Sequence, residues 1–205
     1  MGLLEEIFPG LEKGDYENIP EWGESEHPWS ILDDKVNGIQ FQISKIVDES
    51  GIFIHPTAKI GDCVRIEGPS YVGPNAEIRH GALLREGSWI CEGALVGHSS
   101  EIKNSILLPN SKAPHFNYVG DSIVGFEANL GAGVKLSNVR NDGRGVLVTI
   151  RQDMRVESGL MKLGALVGDY SQIGCNTVTN PGTIIGANSM IPPNTTVNGW
   201  HVSKS

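Results

Sequence analysis

Every sixth residue from Ile54 onward is aliphatic: Ile54, Ile60, Ile66, Val72, Ile78, Leu84, Ile90, Val96, Ile102 and Leu108. Four places after each comes a second series, Ala58, Val64, Ser70, Ala76, Ala82, Ser88, Ala94, Ser100 and Ile106, small at nearly every step. Self-similarity at a fixed period marks stacked structural units. A period of six is neither the 3.6 of an α-helix nor the alternation of a half-wet strand. It suits a coil of short flat strands with a tight turn every six residues, the aliphatic filling a narrow interior and the small residue sitting at the corner. Gly61, Gly73 and Gly97 suit such turns, since positive φ carries no steric cost for glycine. Later runs continue the beat: Tyr118, Val124, Leu130 and Leu136, then Val167, Ile173, Thr179, Ile185, Ile191 and Val197. Between Leu108 and Tyr118 the spacing is ten. That reads as four extra residues lifted off a flat face. Pro114 biases Ala113 away from helix, His115 ends the loop and Tyr118 re-enters.

Residues 1–50 do not keep the beat. Leu3, Leu4, Ile7, Phe8 and Leu11 share one helical face, which predicts a short amphipathic helix ending near Pro9. DYENIPEWGESEHPW reads as an irregular acidic strap. Trp29, Ile31, Leu32 and Val36 are placed to dock a second helix or turn onto the base of the repeat. The expectation is a cap and linker over 1–50 that shields the first coil, as repeat domains require, and a repeat domain over 51–205. Sixteen Lys and Arg against 24 Asp and Glu give a net charge of −8. That argues against nucleic-acid and membrane partners. Cys63, Cys91 and Cys175 form no CxxC and fit small buried thiols in a reducing cytoplasm. No signal peptide or membrane-length apolar run is read.

The repeat resembles the hexapeptide-repeat, left-handed parallel β-helix family. The resemblance implies an all-β fold with three hexapeptides per triangular coil, although the general rule for parallel crossovers predicts a right hand. It also implies homotrimers with active sites between adjacent prisms. Residues eighteen apart then stack on one face. Arg85 and Lys103 are eighteen apart, each directly after an interior aliphatic. Two cations in one column repel unless an anion joins them, and phosphate is the natural candidate. Glu67, one coil below Arg85, makes a plain surface charge ladder the alternative. His80 and His98 stack by the same count. With His115 they suggest a metal site like that of the γ-class carbonic anhydrases, which share the fold. The chain lacks that class's His-x4-His element, and surface or interface histidines are the plainer reading.

The segment EIKNSILLPNSKAPHFNYVGDSIVGFEANLGAG is similar to the acetyltransferase domain of bifunctional N-acetylglucosamine-1-phosphate uridyltransferases. It is closer still to the β-helical C-terminal domains of sugar-1-phosphate nucleotidyltransferases that acetylate amino sugar phosphates. The similarity spans roughly 51–200. It implies an acetyl-CoA-dependent N-acetyltransferase acting on an amino sugar-1-phosphate such as glucosamine-1-phosphate, toward UDP-N-acetylglucosamine-type and cell-envelope precursors. Residue by residue it implies His115 as general base, Arg85 and Lys103 as phosphate contacts, and Tyr118 and Asn129 as sugar contacts. It implies Ala132 and Asn138 near the acyl donor, and Cys175 along the coenzyme A channel or as a buried structural thiol. Imidazole titrates near neutrality and can take the amine proton. A backbone N–H of Gly131-Ala132-Gly133 can meet the oxyanion. No metal is required for this transfer. Arg144 stands where the family has lysine and Val139 where the uridyltransferases have tyrosine, which leaves the acceptor open. Arg144 to Gly168 reads as about one extra coil. No counterpart of the nucleotidyltransferase domain is read, although PWSILDD resembles the linker that follows it. The competing class is a non-catalytic β-helix that binds sugar phosphate or nucleotide.

Overall fold

A six-residue coil must turn a corner once per repeat, and the corners fix the frame. In the computed structural model, which describes residues 2–12, 16–23, 27–33, 37–151 and 154–202, left-handed backbone recurs along the chain. It falls at Asn75, Gly81, Gly87, Gly93 and Ser99, then Asn104, Asn110 and Phe116, then Asp121, Glu127 and Gly133. It resumes at Tyr170, Asn176, Gly182, Asn188 and Asn194. Glycine enters this region freely, and asparagine is enriched there among the other residues. The corners join three parallel sheets of eight, seven and seven strands into a left-handed β-helix. The first face includes Ile52–Ile54, Ser70–Val72, Ser88–Ile90 and Ser105–Leu107. The second includes Leu95–His98, Lys112–His115 and Asn129–Leu130. The third includes Leu83–Leu84, Glu101–Lys103, Tyr118–Gly120 and Lys135–Leu136.

The expected loop at Lys112 is absent. Lys112–His115 is a strand paired with Leu95–His98 on one side and Asn129 on the other. The frame shifts because two corners are one residue short: the steps from Ser99 to Asn104 and from Phe116 to Asp121 are five residues. The interior therefore runs Ile102, Leu107, Ala113, Val119 and Val124. Ile106 and Leu108 point outward into a second core, and Tyr118 lies outside, half-buried. The turn glycines also differ from expectation. Gly61, Gly73 and Gly97 are not the residues with positive φ. They sit where the next coil crosses, and a Cβ on Gly97 would lie 1.6 Å from the Pro114 carbonyl oxygen.

The N-terminal segment covers a side of the prism, not its end. Ile54 and Ile60 of the first coil remain 42% and 40% exposed. The outward column of the first face is apolar throughout: Phe53, Tyr71, Trp89, Ile106, Ile123, Leu166, Ile184 and Trp200 lie in register. Helix α1 (Leu3–Ile7) and α2 (Ile39–Ser44) bring Ile7, Phe8, Ile39 and Ile43 onto it, with Trp29, Ile31 and Leu32 between them. Hydrogen bonds pin this cover along the prism: Asp169 N–H to the Ile7 carbonyl at 3.1 Å, Trp89 Nε1 to Asn18 at 3.0 Å, and Asn104 Nδ2 to Leu32 at 3.0 Å. Val36 lies outside the described residues. The extra coil expected after Arg144 is instead an antiparallel hairpin, Leu147–Ile150 with Met154–Glu157. Its Val146, Val148 and Ile150 enter the same second core. Across this insertion Ile123 pairs directly with Leu166.

Of the cysteines only Cys91 is buried, and burial pushes its thiol well up; Cys63 and Cys175 are exposed, contrary to expectation. No described helix is long and apolar enough to cross a membrane. Because the coils leave no room for a methyl at the crossing, Gly97→Ala is expected to cost about 3 kcal/mol or more in chemical denaturation. An unchanged midpoint would mean that successive coils do not approach this closely there.

Candidate active site

Most of the candidate residues gather at two edges of the third face. At the edge shared with the first face, Leu84 pairs with Ile102, so Arg85 and Lys103 stack as the spacing predicts. Gly120 is level with Lys103, and Asp121 follows it at the corner. Arg85 donates to Glu101 at 3.1 Å and lies 3.7 Å from Glu86. Lys103 Nζ is 3.5 Å from Asp121 Oδ1. Asp121 is buried and also accepts from Asn104 Nδ2 at 3.0 Å and from Asn138 Nδ2. Gln40 of α2 donates to Asn104 at 3.2 Å. Burial pushes the Tyr118 phenol above its ordinary range, while a hydrogen bond with Asn138 works the other way. Asn138, expected beside the acyl donor, is thus engaged by Tyr118 and Asp121. The carboxylate hub and its partners Asn104 and Gln40 were not singled out from the sequence. The signal was available, since Asn104 and Asp121 occupy the two shortened corners. A cavity of about 700 Å³ opens here, between Arg85 and Lys103, the cover residues Asp33 and Gln40, and Gly159–Lys162 of the insertion.

At the edge shared with the second face, His80, His98 and His115 occupy successive coils. The rings of His80 and His98 stack at 5.6 Å, and His115 is in register with His98. His98 Nδ1 is 2.9 Å from the His80 carbonyl oxygen. Among the described residues no group of three His, Cys, Asp or Glu side chains is arranged to hold a metal ion. His115 is exposed, and its carbonyl accepts from Gly133 N–H at 3.0 Å, so the Gly131-Ala132-Gly133 corner lies on the adjacent coil. Gly131 N–H is likewise engaged, by Ile173 at 2.7 Å. That leaves Ala132 as the candidate oxyanion donor of this corner. Asn176 N–H reaches the Ala132 carbonyl at 2.8 Å, which places the exposed Cys175 on the next coil.

Two expected contacts lie apart from these clusters. Asn129 starts its strand on the second face, whereas Tyr118 and Lys103 are on the third. Arg144 is 77% exposed and holds Asp142 Oδ2 through Nε and Nη2 at 2.9 and 2.7 Å. It lines a separate cavity of about 390 Å³, behind Gly159, Leu160 and Met161.

With this geometry in hand, the comparisons with known proteins are specific. The model of the GMPPB C-terminal domain matches residues 66–161, and that of the bacterial transferase hexapeptide (six repeats) matches 164–199. The uncharacterized acetyltransferase YaiX of Escherichia coli is 32% identical over 164 residues, covering 79% of this chain and 71% of YaiX. The chain belongs to the hexapeptide-repeat acyltransferases. Two further relatives are longer than this acyltransferase. The bifunctional sugar-1-phosphate nucleotidylyltransferase/acetyltransferase of Sulfurisphaera tokodaii is 34% identical over 195 residues, 86% of this chain and 46% of that protein. The bifunctional protein GlmU of Methanocaldococcus jannaschii is 34% identical over 203 residues, 92% of this chain and 47% of that one. The acyltransferase chain thus spans less than half the length of the bifunctional relatives.

Two outcomes follow for the hub. Asp121→Ala strands the Lys103 ammonium and two amide donors, with an expected loss of about 2–3 kcal/mol in urea denaturation. Because the folded Tyr118 phenol ionises above the unfolded value of about 10, the folded state holds that proton longer. Its contribution to stability is therefore full below pH ~10 and is lost as pH rises beyond it. Relative to Tyr118→Phe, the wild type is expected to lose stability above that pH, as read from denaturation midpoints.

Proposed function

We propose that this acyltransferase is an acetyl-CoA-dependent N-acetyltransferase acting on an amino sugar-1-phosphate of the glucosamine-1-phosphate kind, working as a homotrimer in the cytoplasm. The observation that carries the proposal is the layout of the third face. The Arg85–Lys103 column lies at one edge, His115 at the other, and Tyr118 on the strand between. Tyr118 to Gly120, level with Lys103, is about 7 Å of extended chain. That suits a hexose whose phosphate meets the cations while its amine reaches the histidine edge.

His115 takes the proton from the attacking amine as nitrogen bonds to the thioester carbonyl carbon. The carbonyl oxygen becomes an oxyanion, and the Ala132 N–H donates to it. Collapse breaks the carbon–sulfur bond, and the thiolate leaves with the proton that His115 returns. The edge formed by His115, Ala132 and Cys175 on successive coils supports a donor lying along it. The homotrimer is supported by Asn129 and by the covered first face. The second and third faces remain for neighbours, and a second copy would bring Asn129 to the Tyr118 face. The step as written uses no metal.

The test is thiol release from acetyl-CoA with glucosamine-1-phosphate and with galactosamine-1-phosphate. Turnover is expected with at least one, falling about 10²–10⁴-fold in His115→Ala. Turnover indifferent to His115 would remove it as base. A failure with both sugars and with a wider amine panel would favour the non-catalytic binding protein.

A further inference from the structure

The large cavity holds three cations, and two of them are already paired. Arg85 is held by Glu101 and Glu86, and Lys103 by Asp121. Lys162 also lines the cavity, is exposed, and has no carboxylate partner among the described residues. The cavity's carboxylates Asp33, Glu86 and Asp121 balance its three cations in number. A dianion entering here gains least from charge that is already satisfied and most from an ammonium that is not. Lys162 is also held in place by the backbone. It bridges antiparallel to Val139, and Leu163 N–H reaches the Asn138 carbonyl at 2.9 Å. Its Cα is therefore tied to the strand end that carries Asn138 and, through it, Tyr118 and Asp121. Arg144 has neither property: it is already paired with Asp142, a carboxylate it shares with Arg140, and it is separated from the cavity by Gly159–Met161.

We propose that Lys162, and not Arg144, supplies the third cationic contact to the acceptor's phosphate, so that the insertion between the two halves of the β-helix is a specificity element of the acceptor pocket. This rests on the sugar-phosphate reading above. Lysine carries its charge on a flexible stem, and here that stem stands on a backbone position fixed by the Val139 bridge. An incoming phosphate can thus be gripped without breaking the Lys103–Asp121 pair that holds the hub.

The experiment compares the whole protein as wild type, Lys162→Met, Lys162→Arg and Arg144→Met. It measures steady-state kinetics in glucosamine-1-phosphate at saturating acetyl-CoA, and equilibrium binding of inorganic phosphate. Loss of one charge-assisted contact is expected to raise KM about tenfold in Lys162→Met and to weaken phosphate binding to a similar extent. Its kcat is expected to stay within about twofold. Lys162→Arg is expected to recover most of the affinity. Wild-type turnover with an unaltered Lys162→Met overturns the proposal and leaves the acceptor reading standing. So does an Arg144→Met variant whose KM rises as much as that of Lys162→Met. A wild type that neither acetylates the sugar phosphate nor binds phosphate overturns both.

Discussion

The ladder of backbone hydrogen bonds between successive coils is the constraint on which everything else rests. Strands of two to four residues, such as Leu83–Leu84 and Lys112–His115, have no stability of their own. They persist because each coil is paired above and below, so stability is shared along the stack. The ladder tolerates a corner of one residue fewer only if strand residues stay in register. It does so twice, and Ala113 still pairs with Val96 and Val119 with Ile102. The two shortened corners thereby bring Asn104 and Asp121 together in the lining of the large cavity. A feature of the repeat thus becomes a feature of the site.

The three faces are not equivalent, and the difference is written in side chains. The first face carries Phe53, Tyr71 and Trp89 in one outward column, with Phe53 and Tyr71 stacked at 5.2 Å and the Tyr71 and Trp89 rings tilted at 4.9 Å. Such a surface demands a cover. The N-terminal segment and the hairpin supply it, and that segment together with Gly159–Lys162, just after the hairpin, overhangs the third-face edge where Arg85 and Lys103 stand. Covering the apolar face and walling the pocket are therefore one act of packing.

What the sequence made legible follows the same physics. The six-residue period was readable because a narrow interior admits little besides aliphatic side chains. The Arg85–Lys103 stack was readable because no corner between them is shortened. The frame near residue 108 was not, because Ile106, Leu107 and Leu108 all satisfy an aliphatic beat and only the ladder chooses Leu107. The glycine signal was real but misread, since Gly97 serves a close backbone approach and Ser99 takes the positive φ. Asn138 and Arg144 were assigned by likeness alone, and their surroundings come from the Asp121 hub and from Asp142, which no spacing rule reveals. The hairpin escaped notice because LVTI and MRVE are too short to declare a strand pair, and their length fits a coil equally well.

A crystal structure of the protein with glucosamine-1-phosphate bound bears most directly on the central claim, that one acceptor spans the third face between its two edges. The phosphate is expected within hydrogen-bond reach of Lys103, beside Arg85, with the sugar along Tyr118 and the amine facing His115. A phosphate seated instead in the cavity at Arg144, or a sugar lying away from His115, would contradict it.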